Sequence, residues 1–186
     1  MPISLVRVPV DALYEFTYTC FTAMGVSPEE AAYCTRGLMH SELRCLPGQG
    51  QGVRRLPVYH ERISKGYITP GAPFEIVKES PALALVDGHN GLGSVVAQKS
   101  MELAVQKAKI SGIGTVIVRG STHFGSAAVP ALRAVEQGCL GVAFTNAGPE
   151  MAPWGAASGV VGTNPWGIAA PTGGAFSVVL DIALTT

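Results

Sequence analysis

The feature that most constrains this chain is its longest helical pattern, Leu92 to Ser111, set between two short runs with strand character. Val95, Val96, Met101, Leu103, Ala104 and Ala108 recur at helical spacing, while Lys99, Glu102, Gln106 and Lys109 fall on the opposite, outward face. Before it, Leu83 to Val86 reads as a strand that runs into the tight turn Asp87-Gly88-His89-Asn90-Gly91. After it, Gly112 and Gly114 stop the helix, and Thr115, Val116, Ile117 and Val118 read as a buried strand. The 23 glycines and 13 prolines follow no period and lie between apolar runs, which predicts a loop-rich α/β fold rather than collagen or disorder.

The strand at Thr115 delivers the chain into Arg119-Gly120-Ser121-Thr122, then His123-Phe124-Gly125. A histidine presented in a Gly/Ser-rich turn at the end of a strand is a common way to hold an acid/base group at a sheet edge. By itself the pattern fits equally a histidine that caps a turn. A helix is expected beyond it, from about Val129 to Gln137, capped by Gly138.

Towards the N-terminus, Ile3 to Val8 reads as a short strand, and Asp11 is placed to cap a helix with Leu13, Tyr14, Phe16 and Cys20 on its apolar face. Ser27-Pro28-Glu29-Glu30 is a restart signal, with Ser27 at the cap, Pro28 at the first helical position and Glu30 closing a capping box. That helix is expected to reach about Glu42. LRCLPGQGQGVRRLP follows as a loop; it is neither a GxGxxG after a strand nor a Walker sequence, so it offers little as a phosphate cradle. On the next helix, Leu56 to Lys65, Tyr59 lies four residues beyond Arg55, so the two share a face. Alone, this pair reads as a solvated arginine beside a packed tyrosine. Further strands are expected at Phe74–Glu79 (edge-like), Leu140–Thr145, Ile168–Ala170 and Phe176–Leu180, with Trp154 in a loop and a turn at Gly162–Pro165. The sequence stops at Thr186 just after a strand, which predicts a sheet edge in need of a partner.

Lys plus Arg equals Asp plus Glu, 13 of each, which argues against a nucleic-acid partner held by a basic face. With only 14% charged residues the chain has little to keep it monomeric, so part of its apolar surface is expected to be covered. Cys20, Cys34, Cys45 and Cys139 form no CxxC pair and read as reduced, mostly buried thiols of a cytoplasmic protein. No signal peptide and no membrane span of about 20 apolar residues is legible. His40, His60, His89 and His123 show no helical metal-site spacing, so no metal is expected. His40 and His60 read as surface or packing residues and His89 as a turn residue.

The blocks RLPVYHERISKGYITP, VDGHNGLGSVVA, STHFGSAA, FTNAGPEMAPWG, GTNPWGIAAP and VVLDIA resemble, in that order, the malate/L-lactate dehydrogenase family of the second type. Its members are NAD(P)-dependent reductases of 2-oxo acids, or in some cases cyclic 2-imino acids, with ureidoglycolate, sulfolactate and diketogulonate enzymes among them. The resemblance implies an α/β, non-Rossmann fold. Residues 1–72 would form a helical substrate and dimer domain, and 73–186 a mixed-sheet cofactor domain, incomplete at its C-terminus. It implies that His123 is the acid/base, that Arg55 pairs with the substrate carboxylate, and that Tyr59 is a second substrate contact. Ala147 and Asp181-Ile182-Ala183 match positions that hold NAD or NADP.

Two departures stand out. Where the family carries Ser-His-Gly before the arginine, this chain has Gln51, or Gln49 if its two-residue insertion sits elsewhere. Glutamine can hydrogen-bond a substrate but cannot transfer a proton near neutral pH. Either His123 acts alone, or the chain belongs to a subgroup with a changed substrate or step. Members of the family also continue well beyond the point that matches Thr186. The expected function is NAD(P)H-dependent interconversion of a 2-oxo (or cyclic 2-imino) acid with its 2-hydroxy (or 2-amino) acid. The alternative is an inactive fragment, or one subunit of a split enzyme, that keeps the fold as a binding module. The expected partners are a small acid and either a second copy or a missing C-terminal half, with no nucleic acid and no membrane.

Overall fold

The structure, a computed structural model, describes residues 6–44 and 52–183. Helices α1 (Val10–Ala23) and α2 (Pro28–Leu43) come first, followed by a 3-10 turn (Val53–Arg55) and α3 (Leu56–Ser64). Strands β1 (Glu75–Glu79) and β2 (Leu83–Asp87), helix α4 (Gly93–Ser111) and strand β3 (Thr115–Arg119) follow. Helix α5 (Ala128–Val135) then leads to β4 (Gly141–Phe144), β5 (Trp166–Ala170) and β6 (Val178–Ile182). The α/β class expected from the sequence is the one observed, with mixed helices and small sheets.

Among the described residues two three-stranded sheets form, in the orders β1-β2-β3 and β4-β5-β6. The first is mixed: β1 and β2 are antiparallel, and β2 and β3 are parallel, joined through α4. Parallel neighbours need such a crossover, which is why the amphipathic helix lies between these two strands. The second sheet is antiparallel throughout. α4 packs on α5, α4 on β3, and α5 on β4 and β5, so the helix pair backs both sheets.

The main core joins the N-terminal helices to the start of α4, with Phe21, Leu38, Leu56, Tyr59, Ile68 and Leu92 inside it. The Ser27 cap forms as expected: its Oγ accepts from the Glu30 N–H at 3.4 Å and donates to Glu30 Oε2 at 3.2 Å. The Glu30 carboxylate also accepts from the Gly71 N–H, at 3.0 Å to Oε2, which ties α2 to the connector after α3.

Several expectations are corrected. Pro9, not Asp11, stands at the cap of α1, and Asp11 lies inside the first turn, where its charge favours the helix N-terminus. Val6 to Val8 carry no regular structure, and Ile3 to Leu5 lie outside the described residues. Tyr14 and Phe16 are exposed, and the buried stripe of α1 is Thr17 and Phe21. Thr17 can be buried because its hydroxyl donates to Leu13 O at 2.7 Å. β3 is not a buried strand: it is an edge, with Ile117 62% exposed. Glu102 is half-buried rather than outward-facing: it accepts from the Tyr33 hydroxyl at 3.2 Å and from Arg133 Nε at 3.1 Å, linking α2, α4 and α5. Of the cysteines, Cys34 is buried, Cys20 and Cys139 are half-buried free thiols, and Cys45 lies outside the described residues. Among the described residues no helix is long and apolar enough to cross a membrane.

Candidate active site

The segment from Ser121 to Ala127 has no regular structure, yet it is pinned at both ends. On one side the Thr122 hydroxyl donates to Gly91 O at 2.8 Å and accepts from the Gly93 N–H at 3.0 Å. Gly93 is pressed against this segment so closely that a Cβ there would lie 2.0 Å from Thr122 O and 2.5 Å from His123 O. On the other side Asp181 Oδ2 accepts from the Ser126 hydroxyl and, at 3.1 Å, from the Ala128 N–H at the start of α5. Gly167, paired with Asp181 across β5 and β6, approaches the same place, where a Cβ would meet the Ala127 backbone at 2.6 Å. The turn between β2 and α4 and the second sheet therefore hold the loop that carries His123. Gly93→Ala must displace backbone rather than a flexible side chain, and is expected to destabilise the fold by about 3 kcal/mol. An unchanged urea midpoint would show that the Gly93 contact holds nothing in place.

Tyr59 reaches this loop from α3. Its hydroxyl lies 3.2 Å from His123 Nδ1 and 3.4 Å from His123 O. The ring is 3% exposed and rests edge-on against Phe21, with centroids 5.4 Å apart. Burial pushes its phenol above the ordinary range, so Tyr59 stays a neutral hydrogen-bonding group. With Nδ1 engaged, Nε2 is the ring nitrogen left without a protein partner among the described residues. Arg55 ends the 3-10 turn immediately before α3. Glu42 anchors that turn, its Oε2 accepting the Val53 N–H at 3.0 Å.

The His123 imidazole is lowered to about 4, first by burial and then by the positive charges of Arg55 and Arg62. His40, half-buried on α2, is also lowered to about 4, by burial and by Arg44, with Asp181 acting in the opposite direction. His60 is exposed, and His89 is a turn residue with positive φ whose Nε2 lies 2.6 Å from Glu75 Oε2. Both lowered values lie under the ordinary 6.5. Between the two pH values the unfolded chain holds more protons at these sites than the folded one, so this stability is complete above about 6.5 and drains away as pH falls towards about 4. Thermal midpoints are expected to drop across that window, and His40→Gln or His123→Gln should each flatten the drop. An unchanged slope in both variants would exclude the histidines as its source.

An open cleft of about 1600 Å³ brings the expected site residues together: Arg55, His123, Ala147, Asp181 and Ala183 all line it. Tyr59 stands behind His123, and Ile182 closes β6 between two lining residues. The Ala147 turn is fixed by its own N–H, which donates to Asn164 Oδ1 at 3.0 Å, with Asn164 in the left-handed region at φ 41°. Gln51 and Gln49 lie outside the described residues. Arg62, which also lines the cleft, escaped the sequence reading. Its signal was present: it stands seven residues beyond Arg55 and three beyond Tyr59, on the same helical face.

The profile of the malate/L-lactate dehydrogenase family matches residues 8–186. Malate dehydrogenase of Pyrococcus horikoshii is 41% identical over 167 residues, covering 90% of this chain and 46% of its own length. Its solved structure superposes with a TM-score of 0.91 at 40% identity, covering 96% of this chain and 50% of that one. L-sulfolactate dehydrogenase of Methanocaldococcus jannaschii is 40% identical over 159 residues, covering 86% of this chain and 45% of its own. (2R)-3-sulfolactate dehydrogenase (NADP(+)) of Chromohalobacter salexigens is 33% identical over 163 residues, covering 88% and 48%. The chain spans about half the length of the curated relatives it matches. A match that runs from residue 8 to residue 186, together with the shared fold, shows that this chain belongs to the malate/L-lactate dehydrogenase family.

Proposed function

We propose that this chain carries the acid/base and acid-binding groups of a nicotinamide-dependent oxidoreductase that interconverts a 2-oxo acid, or a cyclic 2-imino acid, with the reduced acid. The observation that carries this reading is one cleft lined by His123, Arg55, the Ala147 turn and residues 181 and 183. Relatives named as malate and sulfolactate dehydrogenases support the substrate class. The proposed cofactor is NAD or NADP, and one relative is named for NADP(+).

The residues present fit such a cofactor. A cleft of about 1600 Å³ exceeds the roughly 300–1,000 Å³ of a single drug-sized site, so it has room for a dinucleotide and an acid together. Asn164 Oδ1 accepts from the Ala147 N–H and so shapes the Ala147 turn where it borders the cleft. Asp181 Oδ2 is committed to Ser126 and Ala128, so this residue would meet a cofactor through its other oxygen or its backbone. We infer a non-Rossmann arrangement, with the cofactor lying between the two sheets. Residues 1–72 would supply the acid-binding groups and 73–186 the cofactor contacts.

A bound reduced nicotinamide would supply the hydride. Arg55 would bind and orient the acid as a forked partner for its carboxylate. Tyr59 would hold the His123 ring through Nδ1, leaving Nε2 for the substrate oxygen. His123 would donate a proton there during reduction and accept it during oxidation. A carboxylate on Arg55 would offset one of the charges that now disfavour the imidazolium, so binding an acid would raise the affinity of His123 for its proton.

The edges of β3 and β4 both border the cleft, with Ile117 62% and Phe144 74% exposed. Apolar strand edges of this kind favour association. This supports a partner, either a second copy or polypeptide matching the part of the relatives that this chain does not span. The functional reading is tested by titrating the protein with NADH and NADPH and following oxidation with a panel of 2-oxo and cyclic 2-imino acids. If neither NADH nor NADPH binds, the reading is rejected.

A further inference from the structure

We propose that Arg62 is a specificity-determining residue that receives a second anionic group of the substrate, so that the site favours acids with an anionic group at each end over monocarboxylates. The proposal rests on the reading of Arg55 and His123 given above.

Arg55, Tyr59 and Arg62 follow at i, i+4 and i+7, which sets them along one face around α3. Tyr59, the middle of the three, is locked onto His123 at 3.2 Å. The two arginines therefore stand on either side of the residue that touches the proposed acid/base, and both line the same cleft as His123. Arg62 also lines a smaller hollow of about 470 Å³ beside Glu61, Thr122, Tyr67 and Ile68, which gives the far end of a substrate room on that side. Its guanidinium has no carboxylate partner among the described residues. The adjacent Glu61 is held by Lys65 at 2.6 Å instead. His123 feels the charge of both arginines, and among the described residues no acidic group offsets them at the imidazole. Two cations flanking one imidazole, neither in an ion pair with a carboxylate among the described residues, match a ligand that brings two negative charges. A carboxylate and a sulfonate share the required chemistry.

The test measures binding rather than turnover. With saturating NADH, and separately NADPH, neither L-malate, 3-sulfolactate nor L-lactate can react, so each can be titrated calorimetrically. The wild-type chain is expected to bind malate at least about tenfold more tightly than lactate. Arg62→Gln should weaken malate by about tenfold and leave lactate within about twofold, while Arg62→Lys should recover part of the malate affinity. A parallel response of 3-sulfolactate would show that charge rather than carboxylate geometry is read. Equal loss for malate and lactate in Arg62→Gln, no loss for either, or no preference in the wild type overturns the proposal. Loss of nicotinamide binding would instead reject the underlying enzymatic reading, and Arg55→Gln, which should weaken all the acids, separates the two.

Discussion

Replacing His123 with glutamine is expected to slow reduction of a 2-oxo acid by about 10²–10⁴-fold, the usual contribution of a positioned acid/base group. Glutamine can keep a hydrogen bond to Tyr59 but has no proton to exchange near neutral pH. Nicotinamide affinity should stay within about twofold, because the residues proposed to hold it lie on the Ala147 turn and at 181–183. Single-turnover oxidation of NADH or NADPH, beside a fluorescence titration of the same cofactor, measures both. Tyr59 is the other group with a proton near the site, but burial raises its phenol, which makes it the poorer acid. Tyr59→Phe should therefore cost less than His123→Gln. Turnover that survives in His123→Gln would place the proton donor elsewhere. The low histidine pKa also predicts a direction: reduction, which needs the imidazolium, should be favoured at lower pH than oxidation, which needs the free base.

Arg55→Gln is expected to raise the dissociation constant of the acid by roughly 100-fold, about 3 kcal/mol, with nicotinamide affinity unchanged. The guanidinium presents a planar fork that a neutral amide cannot reproduce, and a lysine restores charge without the fork. Arg55→Lys should accordingly recover only part of the loss. Calorimetric titration of the acid into the complex with reduced cofactor reads the effect. Equal affinity in wild type and Arg55→Gln would remove Arg55 from the substrate site and leave the pairing of its carboxylate to another cation. Because the charge of Arg55 lowers the His123 pKa, the same variant should also raise that pKa, a shift visible in the imidazole NMR titration.

Much of the local structure was legible because it depends on near neighbours. The Ser27-Pro28-Glu30 signal started α2 where expected, and the run from Leu92 to Ser111 became α4 to within a residue. Gly112 ended α4 in the left-handed region. What failed depended on distant partners. The β-branched run at Thr115 predicted a strand correctly but a buried one wrongly. Composition reports the preference for extended backbone, whereas burial depends on whether a further strand lies beside it. Tyr14 and Phe16 looked like core residues until the packing of α1 chose Thr17 and Phe21. Glu102 looked solvent-facing because a sequence does not show that Tyr33 and Arg133 converge on it.

The site divides in the same way. By itself the sequence determined which chemistry was on offer: an imidazole in a Gly/Ser loop, a guanidinium one helical turn before a phenol, and the order of blocks that the family shares. Tertiary structure alone decided that Tyr59, 64 residues away in sequence, orients His123 through Nδ1, and that Asp181 reaches across to pin the far end of the His123 loop. It alone drew Arg62 into the same cleft. The physical reason is one of range. Helix caps and strand preferences are settled by neighbours along the chain, but the environment of a half-buried imidazole is set by whichever charges and hydroxyls the fold brings within a few ångströms of it.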